Sequence, residues 1–409
     1  MNYLESNTET GANIVVLATV NHYLPGFKSG GPVRSLENIT THLGTGNRFY
    51  IVTYDRDYKD PAPHSGIRIG DWNEVGKSLV YYVPYRKWSL RKWRKILSAT
   101  THDVLYLNSF FSPQFTIAPL LLRRFGLIPN TPVIVAPRGE FSSGALAIKK
   151  WKKKAYFSLA KAAGLYDGVL WHASSEFEKR DIENIFGRKN KVQIQVDVHI
   201  AEDLSGRADP GDLNLPRPRK SSGSVRLVFL SRLTRMKNLD GALRMLEGAK
   251  GEIDFSIYGP IEDQSYWDQC LKIAKRFSNN IHVTYRGIVP HARVRQVFTE
   301  YHFLYLPTQG ENFGHVIYEA LDAGLPIIIS DQTPWRNLSD KGIGWDLPLS
   351  RPDEFHSVLQ RCVEMGDEDY NEISQKAIRF AHEGGMFRNA LEQHKELFRK
   401  SVGSITRTD

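Results

Sequence analysis

Short apolar runs separated by amphipathic stretches constrain the fold of this 409-residue chain more than any other feature. The run IVVLATV at residues 14–20 has strand length and no polar alternation, as expected of a parallel strand covered on both faces. Similar runs in the first half occupy residues 49–54, 80–83, 104–107, 133–136 and 169–172. Helical patterns lie between them at residues 35–43, 145–164 and 176–186, so we predict an α/β domain with a doubly wound, parallel sheet.

The alternation stops at residues 202–224, which are rich in Pro, Gly, Ser and charge, and then begins again. Predicted strands of the second series occupy residues 225–231, 253–258, 281–285, 303–306 and 326–330, with helices at 240–248 and 266–277. We therefore predict an N-terminal domain (1–201), a linker (202–224), a C-terminal domain (225–385) and a last helix within 386–409. Two such domains face to face form a cleft along the carboxyl ends of both sheets, where ligands bind in this class.

The segment LPTQGENFGHVIYEAL, from Leu306 to Leu321, is the strongest local sign of a ligand site. A strand ends near its start, a loop carries Glu311, and a helix opens near Gly314. The first turn of such a helix offers free N–H groups and a partial positive charge, which suit a diphosphate. Glu311 and Glu319 could accept hydrogen bonds from hydroxyls at opposite ends of a sugar nucleotide. On spacing alone, two ordinary structural or surface acids explain the pair equally well.

Two further segments are candidates, and each follows the first strand of one predicted domain. In the second domain, FLSRLTRMKNL places Arg232 and Lys237 at the carboxyl edge of the sheet, where two cations can neutralise a leaving diphosphate without a metal. Solvated surface cations are the alternative. In the first domain, Gly30 and Gly31 would let a ligand approach the backbone closely, although a plain loop explains them as well.

Taken in their order along the chain, from the Gly-Gly loop to the Glu segment, the three segments resemble the motifs of the GT-B nucleotide-sugar glycosyltransferases, specifically glycosyltransferase family 4. Those motifs are an N-terminal Gly-Gly loop, an Arg and Lys pair after the first strand of the C-terminal domain, and a Glu-x7-Glu segment. The resemblance covers residues from about 14 to 398 and is closest in pattern to bacterial polysaccharide-assembly members. It implies two Rossmann-like domains facing across a cleft, with a last helix that packs back onto the first domain.

The resemblance implies an activity as well as a fold. It implies a retaining, metal-independent transfer of a sugar from a UDP- or GDP-linked donor, with no cofactor, to a glycan or lipid-diphosphate-linked acceptor in bacterial surface polysaccharide synthesis. The N-terminal domain would hold the acceptor and the C-terminal domain the donor. A GT-B nucleotide-sugar epimerase or phosphorylase is a competing enzyme class. A basic nucleic-acid-binding or scaffold protein with a degenerate donor site is the non-enzymatic competitor.

Roles for individual residues also follow from the resemblance. Arg232 and Lys237 would bind the donor diphosphate, and Glu311 would contact hydroxyls of the donor sugar without acting as a nucleophile. Glu319 would bind the ribose, and the backbone of residues 285–289 would read the base. The remaining donor-binding positions that the resemblance implies are Gly30, Gly31 and Ile288, together with the backbone of Asn312, Phe313 and Gly314 near sugar and phosphate.

One segment departs from the family pattern. Many relatives have a His-Gly pair after the strand at 133–136, whereas this chain has Pro-Arg-Gly-Glu at 137–140. Arg138 cannot act as a base at neutral pH. Deprotonation of the acceptor then falls to Glu140, to the departing phosphate or to no protein group, and we favour a phosphate oxygen. Arg138 and Glu140 are the candidate acceptor-side residues.

Basic charge is concentrated in the first half of the chain. The formal net charge is +9, and residues 1–200 carry 27 Lys and Arg against 16 Asp and Glu, which leaves the remainder slightly negative. Cations alternate with aromatic residues at 85–95 and 149–157, a composition with which peripheral proteins dock on anionic lipid. A solvated basic face is the alternative. Nucleic acid is not expected as a partner, because no recognisable nucleic-acid module accompanies these stretches.

Several other site classes are not indicated. The two cysteines have no metal-ligand spacing and are expected to be reduced, and the histidines form no zinc-binding pair on a helix, so no metal site is predicted. Asp55-Arg-Asp57 matches a D-x-D motif, but its position favours an ordinary loop.

The N-terminus lacks the order of a signal peptide, and the apolar segment 115–122 favours a buried helix over a membrane span. We expect a cytoplasmic protein, peripheral on the inner face of the plasma membrane; nothing indicates its oligomeric state.

Overall fold

Two parallel sheets, one in each half of the chain, organise the protein. The structure is a computed structural model that describes residues 13–85, 89–142, 145–146, 150–189, 192–193, 196–206, 217–383 and 385–403. Within these residues the first sheet has the strand order β10-β7-β6-β5-β1-β2-β4-β3, and β3 alone runs antiparallel to its neighbour. Its strands and the small β8-β9 hairpin are β1 (Val15–Thr19), β2 (Arg48–Tyr54), β3 (Trp72–Val75), β4 (Ser78–Val83), β5 (Val104–Asn108), β6 (Val133–Ala136), β7 (Leu170–Ala173), β8 (Arg188–Lys189), β9 (Val192–Gln193) and β10 (Val198–Ile200).

Helices cover both faces of this first sheet. Leu17 of β1 belongs to the core on one face, whereas its neighbours Val16 and Ala18 belong to the core on the other face. Because both faces are buried, the strands carry apolar residues at successive positions. The helices of the N-terminal half are α1 (Gly31–Leu43), α2 (Leu90–Ala99), α3 (Ala118–Arg124), α4 (Lys150–Ala162) and α5 (Glu176–Phe186).

The second sheet has the order β13-β12-β11-β14-β15-β16, and its described pairings are all parallel. This is the 3-2-1-4-5-6 order of a dinucleotide-binding fold. Its strands are β11 (Ser224–Leu230), β12 (Glu252–Tyr258), β13 (Ile281–Gly287), β14 (Phe303–Leu306), β15 (Ile327–Ser330) and β16 (Gly344–Leu347). The helices that follow are α6 (Leu239–Leu246), α7 (Gln264–Ala274), α8 (Val294–Phe298), α9 (His315–Asp322), α10 (Leu338–Lys341), α11 (Pro352–Glu364), α12 (Asp367–Glu383) and α13 (Met386–Gly403). The predicted α/β class with two doubly wound domains is confirmed.

The last helix, α13, packs on the N-terminal domain. Phe398 is buried in the core beneath α1, with its ring centroid 6.0 Å from that of Phe49 and 5.7 Å from that of Tyr106. Lys400 pairs with Asp197 at 2.6 Å. Helix α12, by contrast, contributes to the core of the C-terminal domain. The chain therefore returns to its first domain after residue 383.

The apolar segment 115–122 and both cysteines lie in the interior of the protein. The segment 115–122 forms the end of a π-helical turn (Pro113–Ile117) and most of α3, and its residues Phe115, Ala118, Leu120 and Leu122 are buried. No helix among the described residues is both long and apolar enough to cross a membrane. Cys270 and Cys362 are buried and unpaired, as expected of reduced thiols.

Candidate functional site

The carboxyl edge of the second sheet brings one predicted cation, Lys237, and one predicted acid, Glu311, together. Strand order reverses between β11 and β14, and a ligand crevice opens at such a reversal. Arg232 and Lys237 follow β11, the latter on a 3₁₀ turn (Arg235–Lys237), while Glu311 lies in the loop after β14. Lys237 Nζ lies 2.5 Å from Glu311 Oε1, and each side chain is only 12% exposed. The pair forms at the point where the fold leaves room for a ligand.

The loop at residues 307–314 is held by backbone and side-chain hydrogen bonds. Trp335 Nε1 donates to the carbonyl of Phe313 at 2.6 Å, and the Gln309 amide donates to the carbonyl of Met236 at 2.8 Å. Gly314 ends the loop with φ +82°, where an added Cβ would lie 2.8 Å from Ile317 Cδ1. It is the N-cap of α9, so the predicted start of this helix is confirmed.

Glu319 is not a solvated residue of α9. Its Oε1 lies 2.7 Å from Nε2 of His291, which belongs to the 3₁₀ turn after β13. Burial raises the pKa of the Glu319 carboxyl, and the nearby His315 and Arg34 oppose that rise. Glu319 is therefore partly buried and hydrogen-bonded, and its role toward a ribose stays a prediction.

The Gly-Gly loop of the N-terminal domain faces Arg232. Gly30 is the N-cap of α1 with φ +71°, and a Cβ added there would lie 3.8 Å from Arg232 Nε. Arg232 also pairs with Glu262 at 3.1 Å, but its side chain remains 44% exposed. Gly31 has open space around it. The loop after β1 and the loop after β11 therefore meet across the two domains.

Asp57 supports the Gly-Gly loop, while Asp55 holds neighbouring residues of the N-terminal domain. Asp57 Oδ2 accepts hydrogen bonds from the amides of Phe27 and Lys28 at 2.7 and 3.0 Å. Asp55 accepts from the Tyr85 amide and pairs with the neighbouring Arg56. Both aspartates are buried. The loop interpretation of this D-x-D segment agrees with these contacts, and no group of three or more His, Cys, Asp or Glu among the described residues could hold a metal ion.

Arg138 does not present a free guanidinium to an acceptor. It pairs with Asp203 at 2.8 Å, donates to Tyr106 Oη at 2.7 Å and donates to Asn108 Oδ1, and its side chain is 5% exposed. Burial opposes the charge on Asp203, but Arg138 and His315 keep the pKa of that carboxyl below its usual value. These contacts hold Arg138 between β5 and Asp203, and its assignment to the acceptor side stays a prediction.

Glu140 is engaged in the same way. Its Oε2 accepts from the amides of Phe110 and Phe111 at 2.6 and 3.0 Å, and its Oε1 accepts from Ser109 Oγ at 2.8 Å. Burial raises the pKa of this carboxyl, and the three donors lower it. Both oxygens of Glu140 therefore hold the turn after β5, and its place on the acceptor side stays a prediction.

The segment expected to read a base lies at the end of β13. Tyr285 Oη donates to the carbonyl of Gly259 at 2.8 Å, which ties this strand to the end of β12. Ile288, just beyond the strand, is 46% exposed. An exposed apolar side chain beside the Glu319 and His291 pair is compatible with contact to a flat ring.

Two residues of this region, His291 and His315, were not among the predicted site residues. His291 contacts Glu319, His315 contacts the N-terminal domain, and the side chain of Asn312, a predicted donor-binding position, crosses to that domain. His315 directly follows Gly314 in the sequence, so proximity to the strongest motif was the signal available. His291 carried no such signal, since only the fold brings its turn to α9.

Parts of this chain are similar in sequence to known proteins. Residues 214–380 match the family described as "Glycosyl transferases group 1". An uncharacterized 41.2 kDa protein in the cps region of Klebsiella pneumoniae is 27% identical over 245 residues, which cover 58% of this chain and 62% of that protein. The GtfA subunit of a UDP-N-acetylglucosamine–peptide N-acetylglucosaminyltransferase from Streptococcus pneumoniae serotype 4 is 26% identical over 180 residues, which cover 42% of this chain and 34% of that protein. The chain thus spans less than two thirds of the length of these relatives.

Solved structures share the fold along nearly the whole chain. Anabaena HepE in complex with UDP and glucose superposes with a TM-score of 0.66 at 13% identity, covering 96% of this chain and 100% of that one. Sucrose-phosphate synthase from Thermosynechococcus elongatus gives a TM-score of 0.70 at 15% identity, with the same coverage. At these identities the likeness shows the fold alone, which is the GT-B arrangement of two Rossmann-like domains.

Proposed function

We propose, from the premise that residues 214–380 form a group 1 glycosyl transferase domain, that this protein transfers a sugar from a nucleoside-diphosphate donor to an acceptor. The observation that carries the proposal is the cluster at the strand reversal of the second sheet. There Lys237 pairs with Glu311, which lies beside Gly314 at the start of α9, while Arg232, on the same loop as Lys237, faces Gly30. Two cations and a helix N-terminus are the groups that bind a diphosphate.

Each group of the cluster has a part in the transfer. Arg232 and Lys237 meet the negative charge that develops on the diphosphate as the bond to the sugar breaks, an electrostatic effect in place before the reaction begins. Glu311, fixed by Lys237, accepts hydrogen bonds from sugar hydroxyls and orients the donor. Glu319, fixed by His291, binds the ribose. The cations supply this stabilisation without a metal, and we infer family 4 chemistry with retention at the anomeric carbon.

The acceptor is bound by the N-terminal domain, in our proposal. The contacts that occupy Glu140 leave a phosphate oxygen of the departing diphosphate as the base for the acceptor hydroxyl. The cps-region relative from Klebsiella pneumoniae supports a role in surface polysaccharide synthesis, with a glycan or lipid-linked glycan as acceptor. An epimerase of the same fold would instead release nucleotide or convert the sugar with no acceptor present.

A screen of nucleotide sugars tests the donor assignment. We expect one UDP- or GDP-linked sugar to raise the melting temperature of the wild-type protein, because a ligand that binds only the native state stabilises it by about 2.7 kcal/mol at a hundredfold excess over its Kd. The same donor should give no shift with the Lys237→Ala variant. If no nucleotide or nucleotide sugar shifts the wild-type melting temperature at millimolar concentration, the donor assignment is wrong.

We also propose that the N-terminal domain docks on an anionic membrane. Helix α2, the end of α3 and helix α4 form one surface, here called the basic apolar face, because Arg94 donates to the Leu127 carbonyl and Arg124 to the Ala163 carbonyl. Exposed apolar side chains on it are Leu90, Phe125, Leu127, Trp151 and Leu159, the last two being 72% and 71% exposed. Residues 86–88 of the first basic stretch and residue 149 of the second lie outside the described residues.

The charge of the basic apolar face fits this partner. Between residues 89 and 166 the sequence has two acids, Asp103 and Glu140. Asp103 precedes β5 and accepts the Val15 amide, and Glu140 holds the turn after β5, so neither belongs to α2, the end of α3 or α4. Exposed rings and aliphatic side chains among an excess of cations suit the interface of an anionic bilayer.

Vesicle co-sedimentation tests this docking. We expect binding to vesicles rich in phosphatidylglycerol, and weaker binding to pure phosphatidylcholine. Reversing two exposed charges with Lys152→Glu and Lys154→Glu should lower the partition coefficient at least about tenfold, at roughly 1 kcal/mol for each charge. The matched control reverses Lys272 and Lys275 on the C-terminal domain. Equal binding by the variant and the control would remove the basic apolar face as the docking surface.

A further inference from the structure

The 307–314 loop touches the N-terminal domain directly beside Glu311. Asn312 Nδ2 donates to Ser174 Oγ at 2.6 Å and to Glu178 Oε2 at 3.1 Å. A Cβ added to Gly139 would lie 3.3 Å from Asn312 Cβ, so the two backbones are in close approach. The side-chain amide of Asn312 therefore donates its hydrogen bonds to the N-terminal domain and not within its own domain.

Glu178 is a rigid acceptor for this contact. Its side chain is buried, its Oε1 accepts the Gly139 amide at 2.7 Å, and its Oε2 accepts the Ser174 amide at 2.8 Å. Ser175 caps α5 by accepting the amide of Glu178. Contacts within the N-terminal domain alone therefore fix the position of this carboxylate. Hydrogen bonds to a carboxylate are stronger than those between neutral groups.

His315, the first residue of α9, makes a second contact across the domains. Its Nε2 lies 3.1 Å from Ser35 Oγ and 3.6 Å from Asp203 Oδ2. Asp203 is itself fixed by the ion pair with Arg138, and both side chains are 5% exposed. Two buried carboxylates of the N-terminal domain thus lie near residues on either side of Gly314. Glu178 contacts Asn312, and Asp203 lies near His315.

We propose that Glu178 and Asp203 are positioning residues for transfer, acting through Asn312 and His315. They hold the 307–314 loop and the start of α9 against the N-terminal domain, which fixes the distance between donor and acceptor. This inference rests on the proposed function, because it assigns the donor to one domain and the acceptor to the other. Effective transfer needs the reacting atoms within a few tenths of an ångström of their proper places, so a loosened boundary lowers turnover without removing the donor site.

The Asn312→Asp variant tests the first contact. It replaces an amide donor by a carboxylate that faces Glu178, so like charges oppose each other at the boundary. We expect kcat to fall about tenfold or more, while the donor Kd measured by calorimetry changes by less than about threefold, since the donor-binding cations are untouched. The radius of gyration from small-angle scattering, measured without donor, should rise. Asn279→Asp, an exposed residue before β13, is the matched control with the same added charge.

The second contact is tested by a pair of variants at His315. His315→Leu removes the hydrogen bond to Ser35 and should lower kcat, whereas His315→Gln keeps a polar group of similar reach and should restore most of it. Equal losses with leucine and glutamine, or an unchanged kcat or radius of gyration in Asn312→Asp, would overturn the positioning role while leaving the transferase assignment in place. If the wild-type protein transfers no sugar, the proposed function fails, and the scattering comparison still decides whether these contacts hold the domains together.

Discussion

Replacing Lys237 by alanine is expected to lower the rate of sugar transfer by about 10²- to 10³-fold, the loss seen when one group that stabilises a developing anion is removed. Lys237 stands 2.5 Å from Glu311, and both side chains are 12% exposed. The change therefore acts twice. It removes a cation from the diphosphate, and it leaves the Glu311 carboxylate partly buried without its counter-charge, so that this side chain no longer has a fixed position for the sugar.

The measurement compares steady-state transfer by Lys237→Ala with that by Lys250→Ala, an exposed lysine beyond α6 that removes the same charge at a distance from the site. Circular dichroism melting curves check that both variants fold. Glu311→Ala, made alongside, should also lose transfer, because the two side chains work as one pair. Transfer close to the wild-type rate in both site variants would refute the roles assigned to them.

The Gly259→Ala variant is expected to lower the free energy of unfolding of the C-terminal domain by about 3 kcal/mol or more, the scale of severe overpacking with a strained backbone. Gly259 has φ +132°, and an added Cβ would lie 1.8 Å from the carbonyl oxygen of Ser231. The backbone has little room to yield, because the Gly259 amide donates to the Gly287 carbonyl at 2.8 Å. Arg232 follows Ser231 directly, so the same displacement should also weaken donor binding.

Gly248→Ala is the matched control for this prediction. Gly248 also has a positive φ, +79°, but no atom lies within 4 Å of its added Cβ. Gly248→Ala should therefore lower the free energy of unfolding by backbone strain alone, about 1–2 kcal/mol. Urea denaturation followed by tryptophan fluorescence measures both variants. Equal losses of stability in the two would show that the close approach of β11 and β12 at Gly259 is not the cause.

Buried parallel strands were the easiest part of the fold to predict. The predicted strand 303–306 coincides with β14, and the predicted helix 176–186 with α5, because continuous apolar runs and a clear N-cap mark their limits. Strand β3, with the sequence WNEV, was missed, since its residues are partly exposed at the edge of the sheet and do not form an apolar run. Strand β16 was missed because its four residues, GWDL, include a glycine and a charge.

Candidate residues were found from sequence where they stand in one local motif. Glu311, Gly314 and Glu319 lie within nine residues of each other, and their spacing around a helix start is readable without a fold. The contacts that hold Arg138 and Glu140 could not be read from the sequence in this way. Their partners, Asp203 for one and the turn at 109–111 for the other, are about 30 to 65 residues away, and no local pattern announces a buried ion pair.

The sequence by itself determined the α/β class, the division into two series of strands and the segment in which the site lies, because these depend on the periodicity of apolar residues and on local helix and loop chemistry. The tertiary structure decided which charged residues are available to a ligand. Asp203 looked like part of a polar linker, yet it is buried beneath His315, because Arg138 supplies the compensating charge there. Burial of a charge is a property of its surroundings, and those surroundings are assembled from distant parts of the chain.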